Sequence, residues 1–154
     1  MKDRSNRPEG PSDKAKALDE LKRFSDEQMA KYGPHHWILN ESGEVIPASL
    51  FEWTFWFEKN GQRVIQQDYF EDHKVSTIFE GLDHSWYVHS HIPRVFETMV
   101  FGPPEETEWF DGTKQMMRPS LWQERDRTLQ EALKRHQEGI EWLKNYLSNK
   151  VQKT

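Results

Sequence analysis

A chain of 154 residues is the size of one domain, and with 34% apolar against 31% charged residues its core has to be small and drawn largely from seven Trp, nine Phe and four Tyr. Zero Cys excludes disulfides, thiolate nucleophiles and Cys-based zinc sites, and the net charge of -5 argues against a general nucleic-acid binder, whose affinity rests on Lys and Arg neutralising phosphates. No apolar run approaches the roughly 18 to 20 residues of a membrane span, and the polar N-terminus lacks the apolar stretch of a signal peptide, so the expectation is a cytoplasmic protein with no membrane partner.

Residues 1–11 mix both charges with two Pro and one Gly and read as a disordered tail. A single α+β domain is then expected over 12–148, with 149–154 frayed. Ser12 can cap a helix over 13–32, in which Leu18, Leu21, Met29 and Tyr32 share a face before Gly33-Pro34 stops it. Ser25 and Gln28 have capping-box spacing, which allows a break near Phe24. Residues 37–39 and 44–46 flank a polar stretch ending in Gly43 and read as a hairpin. Ser49 and Glu52 form a second capping box before Leu50, Trp53, Thr54 and Phe57, spaced as one helix face over 50–59. The continuous aromatic run there leaves a strand as the alternative.

Residues 63–70 and 75–80 read as two antiparallel strands joined by a turn over 71–74, and 94–101 as a central strand with apolar residues on both faces. Residues 102–120 open with Gly and Pro and read as a long surface loop bearing Glu105, Glu106, Glu108 and Asp111. From Thr128, Leu129, Leu133, His136, Ile140, Leu143 and Leu147 recur at alternating spacings of four and three, the seam of a long amphipathic helix. The expected fold is a small antiparallel sheet of three to five strands packed by this C-terminal helix and one or two N-terminal helices.

The run VSTIFEGLDH over 75–84 and FETMVFG over 96–102 resemble a family of small uncharacterised bacteriophage and prophage proteins, which reads VSTVFLGLDH, then a Gly/Pro-rich loop, then LFETMVFGG. The resemblance extends outward to 51–58 and Arg63-Val64 upstream and to 128–136 downstream, roughly 37–140 in all. It implies a phage-borne accessory protein. The chain departs from the pattern at Glu80, where the family carries an apolar residue, and in its loop, where Trp86, Tyr87, His89 and His91 replace a short turn.

Two constellations in these segments bear on function. Asp83, His84, His89 and His91 bring carboxylate and imidazole donors into one loop, and His89 and His91 at i, i+2 of an extended chain point to the same side. Such a set suits a divalent transition metal, the one cofactor the sequence suggests, and a metal-activated water would support a hydrolase or nuclease. The other reading has Asp83 accepting backbone N–H bonds where the strand ends after Gly81, with the His residues solvated. Trp86, Tyr87, Trp109 and Phe110 are the second constellation: aromatic residues on expected loops are either interface anchors or a fold-back over a small core.

Other polar residues lack a complete catalytic set. His136 on the apolar helix seam reads as a hydrogen-bonded core imidazole, Glu97 as pairing with an Arg such as Arg63, and Glu80 with Glu97 as two carboxylates without a nucleophile. No Walker loop, Rossmann glycine pattern or GxSxG elbow is present. No catalytic residue is assigned. The reading that follows is a non-enzymatic module binding a host or phage protein, with the metal-dependent hydrolase as its rival. A homodimer through Trp142 and Tyr146 is a further partner reading, and nucleic acid held by Lys and Arg of the first helix and tail a minor one.

Overall fold

Alternating residues build the centre of the fold, and helices with capped ends cover it. The computed structural model describes residues 12–60, 64–83 and 93–153. Its elements run α1 (Asp13–Tyr32), β1 (His36–Leu39), β2 (Val45–Ala48), α2 (Leu50–Asn60), β3 (Val64–Phe70), β4 (His73–Phe79), β5 (Phe96–Phe101), β6 (Glu105–Glu108), β7 (Lys114–Met117), β8 (Ser120–Asp126) and α3 (Leu129–Gln152). The main sheet is antiparallel in the order β3-β4-β5-β8, and two-stranded ribbons β1-β2 and β6-β7 stand beside it. The α+β class is as the sequence indicates. No helix among the described residues is long and apolar enough to cross a membrane.

Register places Val75 opposite Val100, Thr77 opposite Thr98 and Phe79 opposite Phe96, so these six residues share one face, and all six are buried. The helix α3 lies across this face through Ala132, His136, Gly139, Ile140 and Leu143. Val75 and Val100 pack with Ile140 and Leu143 at one end. At the other, Phe79, Val95, Phe96 and Ala132 form a second cluster, completed by Trp37, Trp56 and Phe57. Phe57 stacks on Phe79 at 5.9 Å and Trp56 meets it edge-on at 5.5 Å. Each fully buried large apolar side chain contributes about 1.5–3 kcal/mol.

Gly139 sets how closely α3 approaches. A Cβ there would lie 3.2 Å from Cζ3 of Trp122 and 3.3 Å from Cγ1 of Val75. Glycine in a helix interior costs about 1 kcal/mol in propensity, and here the cost is offset by close contact with the sheet.

The aromatic run 50–59 is helical because its first-turn donors are satisfied twice over. Ser49 Oγ accepts from Glu52 N at 3.2 Å, and Ser25 Oγ of α1 accepts from Phe51 N at 3.2 Å. Ser25 is therefore no helix start: α1 runs unbroken through Phe24, and its buried serine caps a neighbour instead. The short α2 covers α1 near Ser25, and Leu18, Leu21, Phe24 and Tyr32 remain exposed.

Three other expectations are corrected. Residues 102–120 are no loop: β6 and β7 form a hairpin, and a further strand, β8, begins at Ser120. Its alternation was hidden because β8 is an edge strand rich in polar residues, with only Asp126 fully buried. The turn before β4 is shorter than expected, and His73 is the buried first residue of the strand, its ring facing Tyr146 at 6.3 Å. Finally, α3 continues through Gln152, past the helix end expected near 148. Trp142 and Tyr146 stack on each other at 5.2 Å and, half-buried, pack against the Val75 cluster.

Candidate functional site

The most exposed apolar groups of the sheet region sit on the β6-β7 hairpin. Every residue from Pro104 to Met117 is exposed, and the two strands pack on each other and hardly elsewhere. Pairing runs Glu105 to Met117, Glu106 to Met116, Thr107 to Gln115 and Glu108 to Lys114. Lys114 reaches diagonally to Glu106 at 3.8 Å on one face. The turn is built for rigidity. Asp111 Oδ1 accepts from the backbone N–H of Thr113 at 3.0 Å and from its hydroxyl at 2.6 Å, Gly112 takes φ +84°, and Trp109 N donates to Thr113 O at 2.8 Å. The hydrogen bonds from Thr113 hold the Asp111 carboxyl below the usual carboxylate range.

This framework holds Trp109 and Phe110 at its tip, Trp109 43% exposed and Phe110 wholly so, with Met116 61% exposed beside them. Four carboxylates, Glu105, Glu106, Glu108 and Asp111, surround them against the single cation Lys114. Of the two readings open for Trp109 and Phe110, a fold-back over the core is thereby removed. Trp86 and Tyr87, the other two aromatic candidates, lie outside the described residues.

Of the candidate metal ligands, His84, His89 and His91 also lie outside the described residues. Asp83 Oδ2 accepts from the backbone N–H of Arg94 at 3.3 Å, a bond that ties the two ends of the intervening segment. No group of three or more metal-ligating side chains is gathered among the described residues. His36, left without a role, stands at the start of β1 with its ring 5.2 Å from that of Trp53; burial and then His35 lower its pKa.

His136 heads a buried polar chain. Its Nε2 lies 2.8 Å from Asp68 Oδ2 and its Nδ1 2.8 Å from Thr77 Oγ1, which is itself 2.8 Å from Thr98 Oγ1. A carboxylate only accepts, so Nε2 carries a hydrogen, and in the neutral ring Nδ1 accepts from Thr77. The order carboxylate, imidazole, hydroxyl matches that of a nucleophilic relay, yet Thr77, Thr98 and His136 are fully buried, out of reach of a substrate. The chain is a tether from α3 to β3, β4 and β5.

Asp68, at 40% side-chain exposure, is its open end. The hydrogen bond from His136, and then that from Gln66, lowers its pKa. A depressed carboxyl stabilises the fold above its ordinary pKa of about 4, and that contribution is lost as pH falls through the lower folded value. The stability advantage of the native protein over Asp68→Asn is therefore expected to be full at pH 6 and to close at progressively acid pH below 4. Denaturant titrations of both proteins across that range check it; a constant difference would contradict the assignment.

On the opposite face of the sheet, Arg125 Nη2 meets buried Glu97 at 3.0 Å and its Nη1 lies 3.8 Å from Glu80. Gln123 also donates to Glu97. Glu97 thus pairs with the arginine directly across the ladder, and the two carboxylates share one cation; Arg63, the partner the sequence suggested, lies outside the described residues. No protein-family model, no curated protein and no solved structure matches this chain.

Proposed function

We propose that this chain is a non-enzymatic protein-docking module that presents the β6-β7 hairpin to a basic, partly apolar protein surface. The carrying observation is the tip itself: a turn ordered by Asp111 and Gly112 holds Trp109 and Phe110 in solvent, where they do nothing for the core. A preordered turn lowers the entropy lost on binding, and aromatic anchors of this kind typically carry about 2 kcal/mol or more of an interface each. The carboxylates have two roles. They steer a cationic partner and discourage edge-to-edge pairing of the exposed strands.

The resemblance of 75–84 and 96–102 to phage proteins supports a phage-type accessory role, with a host or phage protein as the partner in the host cytoplasm. The test compares the native protein with Trp109→Ser/Phe110→Ser. Both residues are exposed, so the thermal midpoint is expected to stay within about 2 °C, surface substitutions being worth about 0.5 kcal/mol or less. Proteins retained from host extract by the native chain should be lost by the variant, about tenfold or more, and released by raised salt. Identical retention by both would overturn the proposal.

A further inference from the structure

A second feature, independent of the hairpin arm, lies at the opposite end of the sheet. The β1-β2 ribbon and the start of α3 enclose a cleft of about 760 Å³, within the range of small-molecule sites. Trp37, Val45, Pro47, Leu129 and Leu133 give it apolar walls. The ribbon turn closes one side: Gly43 comes so near that a Cβ on it would stand 3.2 Å from Leu129 Cδ2.

Arg127 also lines this cleft, and its guanidinium differs from those of Arg118, Arg125 and Arg135. Arg118 reaches the carbonyls of Asp72 and Gly102, Arg125 reaches Glu97 and Glu80, and Arg135 reaches Asp126 and Glu138. Among the described residues no acceptor meets the Arg127 side chain, and its Nε is shielded from solvent without a partner. The neighbouring carboxylate of Glu131 is committed elsewhere, accepting from the backbone N–H of Arg127 at 3.2 Å. Glu44 stands exposed at the rim. With Nε shielded, the terminal nitrogens are the atoms a ligand in the cleft would meet, and an anion there would pair with a guanidinium that no carboxylate of the described residues neutralises.

We infer that this cleft binds a small monocarboxylate with a flat apolar body, its carboxylate on Arg127 and its body between Trp37 and Leu133. Arg127 is the one cation lining the cleft and Glu44 stands at its rim, which favours a singly charged ligand over a polyphosphate. The positive end of α3 opens on the same cleft and adds to the field without defining the site.

Backbone-amide and indole NMR titrations with 1-naphthoate and with its neutral counterpart 1-naphthamide test the assignment on the full chain. Naphthoate is expected to shift the Trp37 indole and the Leu129 and Gln130 amides, with Kd about tenfold below that of naphthamide, the effect of one charge-assisted pair. In Arg127→Gln the two ligands should bind within about twofold of each other, with the remaining spectrum unchanged. Equal affinities in the native protein, shifts confined to other residues, or an acid preference surviving in Arg127→Gln would each overturn it. The native acid-to-amide ratio needs no variant, so the inference is testable even where Arg127→Gln fails to fold.

Discussion

Gly81→Ala is expected to lower the unfolding free energy by about 3 kcal/mol, from two costs that add at one atom. The residue takes φ +65°, a left-handed conformation that costs an L side chain about 1–2 kcal/mol. Its missing Cβ is also where β1 and α2 close on the end of β4: the position lies 2.5 Å from the Trp37 carbonyl oxygen, 2.5 Å from Trp53 Nε1 and 3.0 Å from Phe57 Cε2. Neither a backbone carbonyl nor an indole held between His36 and Phe57 moves aside cheaply, and overpacking of this kind costs about 1–3 kcal/mol more. The junction matters because Gly81 O accepts from Trp37 N at 2.9 Å and His36 bridges to Leu82, which fastens the β1-β2 ribbon to the end of β4. Gly112→Ala separates the two costs. Gly112 has φ +84° but open space around it, so its substitution should cost only the backbone portion. Guanidinium unfolding of the two variants decides the matter: equal losses would remove the steric half of the account.

His136→Ala should be as damaging, by about 3–4 kcal/mol, for a different reason. The imidazole is fully buried and bonded at both nitrogens, so truncation opens a cavity and also strips Thr77 and Asp68 of a partner. Thr77 keeps Thr98 Oγ1 at 2.8 Å, so its loss is partial, but a buried polar group that loses a partner is costly, whereas removing both members of a bond can be nearly neutral. The discriminating variant is therefore His136→Leu with Thr77→Val. If the chain is a tether, the pair should be less destabilising than the sum of its single substitutions by about 1 kcal/mol or more. Strict additivity, or a loss below about 1 kcal/mol for His136→Ala, would show that the bonds contribute little.

The hairpin of β4 and β5, the α2 capping box and the seam of α3 were legible because each depends on residues a few positions apart. Alternation in 75–79 and 96–101 set the strands, and spacings of four and three from Leu129 to Leu147 set the helix. The resemblance to phage proteins falls on the same strands. Legibility failed where a pattern was local but weak. The polar β6-β7 ribbon has no buried face to produce alternation, and Gly102 followed by two prolines masked it. Gly139 stood as an ordinary helix glycine until its distance from Trp122 gave it a purpose.

What the amino-acid sequence by itself determined is the three helices, the β1-β2 ribbon, the strands from β3 to β5 and the absence of cysteine chemistry, read from short-range spacing and composition. The tertiary structure alone decided which side chains meet. Asp68 and His136 lie 68 residues apart in the chain, and Glu97 lies 28 from Arg125. It likewise decided that Leu18 and Leu21 stay uncovered while Trp142 and Tyr146 pack inward, since burial depends on how far a neighbouring helix reaches. Trp109 and Phe110 stay in solvent and Arg127 lacks an acceptor for the same reason: hydrophobicity and charge belong to the residue, but the presence of a partner belongs to the packing.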